Sequence, residues 1–140
     1  MKGISHWIDQ RSVITPNRLA LIDDQRNLTY LEMSNIVNRF AGILQSTYSV
    51  KKGDKVGVLS MNSIDYIILL FSLAKLNAVV VPLNIRLTED ELEYQLKDSG
   101  LQTLIVDHDN YGKGKELLSR TNFTLLTLET INLASPAPLT

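Results

Sequence analysis

The stretch from Lys55 to Asn84, KVGVLSMNSIDYIILLFSLAKLNAVVVPLN, reads as strand, helix, strand. Lys55–Ser60 is a short apolar run entered through a Gly53-Asp54 turn. Asn62-Ser63 offers a helix N-cap, because a short side-chain oxygen accepts a backbone N–H that the first turn leaves unpaired. Ile64 to Leu76 is apolar on nearly every face, so this helix needs protein on several sides. Asn77 falls where it should stop, and asparagine tolerates the left-handed backbone of a C-terminal cap. Ala78–Val81 is a largely β-branched run closed by Pro82, which has no N–H to give to a ladder. Strands apolar at consecutive positions are buried on both faces, the mark of a parallel sheet covered by helices. The unit is a βαβ crossover.

Outward from it, the same alternation continues. Toward the C-terminus, Thr88 to Glu91 forms a capping box, with Glu89, Asp90 and Glu91 in the first turn and Lys97 near the helix end. Leu92 and Leu96 supply its buried face, and Gly100 is the expected cap. Leu101–Val106 reads as a strand, Lys113–Arg120 as a helix diluted by Gly112 and Gly114, and Phe123–Leu128 as a last strand. Toward the N-terminus, Thr29-Tyr30-Leu31-Glu32 is another capping box, opening a helix with Met33, Ile36, Val37, Phe40 and Leu44 on one stripe and Ser34, Asn38 and Gln45 off it. Leu19–Ile22 and Leu28–Tyr30 flank a polar turn and predict a hairpin. Ile4, Trp7 and Ile8 recur at helical spacing, which predicts a packed amphipathic helix ended by Thr15-Pro16. The fold class is therefore α/β: three layers, a mainly parallel sheet with helices on both faces, plus an N-terminal hairpin. One subdomain spans residues 1–131, and residues 132–140, with Pro136 and Pro138, read as a linker or frayed tail.

Composition narrows the function. At 140 residues and 44% apolar, the chain buries a real core. A formal net charge of -1, from 14 basic and 15 acidic residues, gives no field that favours nucleic acid. Cysteine is absent, which removes disulfides, thiolate nucleophiles and cysteine zinc sites and fits a cytoplasmic protein. The start, MKGISHWIDQRS, lacks the apolar core of a signal peptide. Ile64–Val81 contains Asp65, Lys75 and Asn77, so it reads as a core segment and not as a membrane span.

Motifs that carry chemistry are missing. Neither a dinucleotide fingerprint nor a P-loop is present; Gly112-Lys113-Gly114-Lys115 lacks the upstream glycine and the following Ser/Thr. Asp107-His108-Asp109 follows a strand, where α/β sites often lie, but no further ligand for a metal is indicated, and a surface turn explains it. His6 has no partner motif. Asp23-Asp24 and Lys51-Lys52 read as solvated charges beside turns. No Gly-x-Ser-x-Gly elbow or His-Glu-x-x-His pattern occurs. A ligand in such a sheet would sit beyond the strand C-termini, at Ser60–Ser63, Pro82–Arg86 and Asp107–Asn110.

The order of the segments resembles the opening of the adenylate-forming superfamily. Thr15-Pro16-Asn17-Arg18-Leu19-Ala20-Leu21 followed by Leu28-Thr29-Tyr30-Leu31-Glu32-Met33 is similar to that family's first pattern. Val50-Lys51-Lys52-Gly53-Asp54-Lys55-Val56-Gly57-Val58 with Asn62-Ser63 resembles its next segment. Leu73-Ala74-Lys75-Leu76-Asn77-Ala78-Val79-Val80-Val81-Pro82-Leu83-Asn84 resembles the one after, with Asn77 where the family usually has glycine. Arg86-Leu87-Thr88, Glu91-Leu92 and Asp98-Ser99 keep the register, so the likeness covers about Ile8 to Leu128. It implies the N-terminal portion of an acyl-CoA synthetase of the fatty-acid, aryl-acid or succinylbenzoate kind; carrier-protein adenylation domains share the pattern. Such enzymes join a carboxylic acid to ATP with Mg²⁺, release pyrophosphate and pass the acyl group to CoA. The family's Ser/Thr/Gly-rich loop, Thr-Glu segment, ribose-binding Asp and C-terminal Lys have no counterpart here. No catalytic, cofactor-binding or metal residue carries over, and the chain alone is expected to bind no cofactor and to be inactive. The remainder of the parent enzyme is the implied partner, with homodimerisation through exposed apolar faces as a further expectation. The competing reading is a self-contained α/β module that binds a small ligand or a protein, or an interaction-only product.

Overall fold

A computed structural model describes residues 4–23 and 26–133. The elements are α1 (Ile4–Ile14), β1 (Leu19–Ile22), β2 (Asn27–Thr29), α2 (Tyr30–Ser46), β3 (Lys55–Leu59), α3 (Ile64–Lys75), β4 (Val79–Pro82), α4 (Glu89–Ser99), β5 (Thr103–Val106), α5 (Tyr111–Arg120), β6 (Thr124–Thr127) and α6 (Leu128–Leu133). One 3₁₀ turn, His108–Asn110, leads into α5. β1 and β2 form the expected antiparallel hairpin, and the other strands form a parallel sheet in the order β4-β3-β5-β6.

Side-chain alternation along the strands divides the core in two. Val56, Val58, Ile105 and Leu126 face one side, where Phe40, Ile43 and Leu44 of α2 and Ile68, Leu69 and Leu73 of α3 cover them. Leu104 and Val106 face the other side, under Leu92 and Leu96 of α4 and Leu117 of α5. The three layers expected from the alternating pattern are these. Phe40 is wholly buried, a burial worth about 1.5–3 kcal/mol for such a side chain.

Caps sit where the sequence puts them. Thr29 accepts from the Glu32 N–H at 3.2 Å while Glu32 accepts from the Thr29 N–H at 3.0 Å. Thr88 and Glu91 repeat the reciprocal pair, and Ser63 accepts from the Tyr66 N–H at 3.1 Å. Asn77 has φ 58° and Gly100 φ 65°, both in the left-handed region that closes a helix.

Several expectations need correction. β4 is an edge strand: it pairs only with β3, and Val79 is exposed, so its apolar run is not covered on both faces among the described residues. Pro82 suits that edge, where a missing N–H costs no ladder bond. On α1 only Ile8 of the predicted apolar trio is buried; Ile4 and Trp7 are exposed, although the Trp7 ring meets Tyr30 edge-on at 5.7 Å. Ser34, placed off the apolar stripe of α2, is buried and donates to Asp9 Oδ1 at 3.2 Å. Asp9 also holds Lys75 at 3.0 Å, joining α1 to α3. The last strand stops at Thr127 and a short helix, α6, occupies Leu128–Leu133, where the sequence suggests strand to Leu128 and a linker from Asn132. Arg39 anchors α6 to α2 by donating to Asn132 O and Oδ1, both at 2.7 Å. The rest of the expected tail, residues 134–140, lies outside the described residues, as does Asp24.

Candidate functional site

Parallel strands place their C-terminal loops at one end of the sheet, and a cleft of about 340 Å³ opens there. Met61, Asn62 and Ser63 after β3, Asp107, His108 and Asp109 after β5, and Glu129 of α6 line it. Two of the three loops picked out by sequence thus come together. The third, Pro82–Arg86, does not line the cleft. Part of the connection after β4 is bound from α5, because Lys113 Nζ donates to Ile85 O at 2.7 Å and to Leu87 O at 3.3 Å.

Asp107 holds the two loops of the cleft together. Its Oδ2 accepts from the Met61 N–H at 2.9 Å, and its Oδ1 accepts from Asn110 N–H at 3.0 Å and Asn110 Nδ2 at 2.6 Å. Through those three bonds the carboxylate braces the loop after β3 against the loop after β5. Asp65 at the rim is paired with Arg26. His108 is exposed, with Nδ1 3.6 Å from Glu129 Oε1. Among the described residues no three His, Asp or Glu side chains are placed to hold a metal ion. Asp65, Asp107, Asp109 and Glu129 line the cleft together with Asn62, Ser63 and His108.

The other sequence candidates do not line this cleft. Gly114 is buried where a Cβ would come within 2.9 Å of Leu125 Cδ1 and 3.3 Å of Val106 Cγ1, so the glycine lets α5 lie close on the sheet. With Lys113 binding carbonyls, the Gly-Lys-Gly-Lys run is a packing and tethering device, which its glycine spacing alone does not reveal. Asp23 accepts from the Arg26 N–H at 2.9 Å within the hairpin turn. His6 is half-buried on α1. Lys51 and Lys52 are exposed beside a second cleft of about 530 Å³, at the ends of α2 and α3.

Three-layer packing, a parallel sheet and a hairpin leading into α2 define an α/β domain of the kind expected at the start of an adenylate-forming enzyme. Residues 8–134 match the family described as AMP-binding enzyme, and the chain belongs to that family. It is similar to the 2-succinylbenzoate–CoA ligase of Geobacillus sp. (strain WCH70), 39% identical over 107 residues, which are 76% of this chain and 22% of that protein. It is similar also to the long-chain-fatty-acid–CoA ligase FadD13 of Mycobacterium tuberculosis (strain ATCC 25618 / H37Rv), 36% identical over 75% of this chain and 21% of that protein. The crystal structure of the N-terminal domain of FACL13 from Mycobacterium tuberculosis superposes with TM-score 0.88 at 27% identity, covering 100% of this chain and 38% of that one. The chain thus spans about a fifth of the length of the ligases it matches. No helix of the described residues is long and apolar enough to cross a membrane.

Proposed function

We propose that this chain is the N-terminal α/β portion, with its boundary near residue 131, of a longer ATP-dependent acyl-CoA ligase. The parent would join a carboxylate to the α-phosphate of Mg-ATP, release pyrophosphate, and then pass the acyl group to the thiol of CoA with loss of AMP. Cationic groups and the metal would neutralise charge as it moves to the leaving pyrophosphate. A fatty acid or succinylbenzoate is the substrate class, and the cytoplasm is the compartment that a cysteine-free sequence suits. The observation that carries this reading is the family match over residues 8–134 together with the small share of each ligase that the chain covers.

Within that enzyme this portion is scaffold. Asp107 in the cleft is bonded to Met61 and Asn110, and among the described residues no Lys or Arg lines the cleft. By itself it neither adenylates nor forms thioesters. The test is the coding DNA beyond the codon for Thr140. Continuation into a Ser/Thr/Gly-rich loop ending in lysine is the expected result. An immediate stop codon would overturn the ligase reading and leave a binding module with its cleft at the strand ends.

A further inference from the structure

Helix α1 packs on α2 and α3 through little apolar contact and one carboxylate. Of its large apolar side chains only Ile8 is buried, at 1% exposure, while Ile4, Trp7, Val13 and Ile14 are exposed. Trp7 rests edge-on against Tyr30 at 5.7 Å. On α2, by contrast, Met33, Val37, Phe40, Ala41, Ile43 and Leu44 are all buried. Beside Ile8, Asp9 reaches two helices at once: its Oδ1 accepts from Ser34 Oγ of α2 at 3.2 Å, and its Oδ2 from Lys75 Nζ of α3 at 3.0 Å. A helix of 11 residues is marginal by itself, so these few contacts decide whether α1 stays docked. The chain after it is fixed separately. Pro16 has no N–H to carry the helix further, its carbonyl accepts from the Leu31 N–H at 3.1 Å, and the Arg18 carbonyl accepts from the Tyr30 N–H at 2.9 Å. A swing of α1 therefore has its pivot at Thr15 and leaves the hairpin and α2 in place.

We propose that α1 is a latch that opens about Thr15 while the sheet and its other helices stay folded, and that Asp9 is its catch. A partly exposed ion pair contributes modestly; this one counts because so little else holds the helix. Opening breaks the pair of Asp9 with Lys75, and Lys75 lines the second cleft, of about 530 Å³, together with Lys51 and Lys52. Among the described residues no Asp or Glu lines that cleft. The latch thus sets its charge: closed, Asp9 neutralises one of the three lysines; open, Lys75 is released. The latch uses only contacts within this chain, so it stands whether or not the chain is part of a longer ligase.

Amide hydrogen exchange of the purified chain is the test. The expected result is exchange at residues 8–14 about tenfold or more faster than at residues 37–44 of α2. Asp9→Asn leaves an oxygen for Ser34 and removes the charge that Lys75 meets. It should speed exchange at residues 8–14 by about three- to fivefold and leave residues 37–44 unchanged. Lys75→Gln breaks the same pair from α3 and should have the same effect. Equal protection of the two helices in the unsubstituted chain overturns the latch, because α1 then opens only with the core. Acceleration of both helices together in Asp9→Asn, or failure of that variant to fold, overturns it as well. Either substitution leaving residues 8–14 unchanged overturns the pair of Asp9 with Lys75 as the catch.

Discussion

The two helical layers that cover the sheet end differently toward the outside. The outer surface of α4 and α5 is closed by charge: Arg120 meets Asp90 at 2.7 Å and Glu116 at 3.2 Å, and Lys97 meets Glu93 at 2.9 Å. Tyr94, Tyr111 and Leu118 are exposed there, but two of the three carry a hydroxyl. On the other side α2 is buried beneath α1 and the hairpin, and that outermost level shows Val13, Ile14, Leu19 and Ile22. Large exposed aliphatic side chains are thus more numerous on the α1 side than on the α4–α5 side. The α1 side also carries ion pairs, Asp9 with Lys75 and Arg26 with Asp65, so the contrast lies in its exposed apolar side chains.

The comparison can be broken at either end by unfolding the isolated chain in urea. Phe40→Ala, in the core under the α1 layer, is expected to cost about 3–5 kcal/mol. Gly57→Val should cost about 1–3 kcal/mol by overpacking, since even a Cβ there would lie 2.6 Å from Leu101 Cδ2 and 3.1 Å from Leu104 Cδ1. Thr88→Ala removes the α4 capping box and should cost about 1 kcal/mol; a loss as large as that of Phe40→Ala would mean that α4 is not held mainly by Leu92 and Leu96. The hydrogen bond from Lys97, opposed by partial desolvation and helped by the charges of Lys97 and Arg120, holds the Glu93 carboxyl below its ordinary value of 4.5. A carboxyl depressed on folding stabilises above its unfolded pKa, and the contribution disappears as pH falls through the folded value. Glu93→Gln should therefore flatten the stability profile below about pH 4.5 slightly, an effect that salt erases, whereas an unchanged profile would detach Glu93 from the α4–α5 contact. Ile22→Ala should change the stability of the isolated chain by no more than about 0.5 kcal/mol. A cost like that of a core residue would show that Ile22 is already covered.

Local chemistry made much of this fold legible. Both capping boxes, the Ser63 cap and the left-handed Asn77 are decided by residues within one turn of each other, so sequence spacing specifies them. Strand order is different: Ala78–Val81 has the apolar run of an interior strand, and nothing local says that β4 will lie at an edge. Gly114 reads as a weak point of a helix until Leu125 and Val106 are seen beneath it. Nothing in the Gly-Lys-Gly-Lys spacing says that Lys113 will meet the Ile85 and Leu87 carbonyls across the chain. Leu128–Leu133 was hidden because Thr124–Leu128 continues a strand pattern, and because α6 is fixed by Arg39 from far away in sequence. At the candidate cleft, two loops were foreseeable from the position of sites at strand ends. The bracing role of Asp107 was not, since Met61 lies on another strand's loop.

The most direct test of the central claim, that this chain is scaffold for an adenylating enzyme without being one, is ATP–pyrophosphate exchange. The purified chain is given Mg-ATP, labelled pyrophosphate and either succinylbenzoate or a long-chain fatty acid. The account predicts no exchange above buffer from the chain alone and acid-dependent exchange from the enzyme of the extended reading frame. Exchange by the isolated chain that depends on the acid would contradict it, and would place reacting groups among these residues.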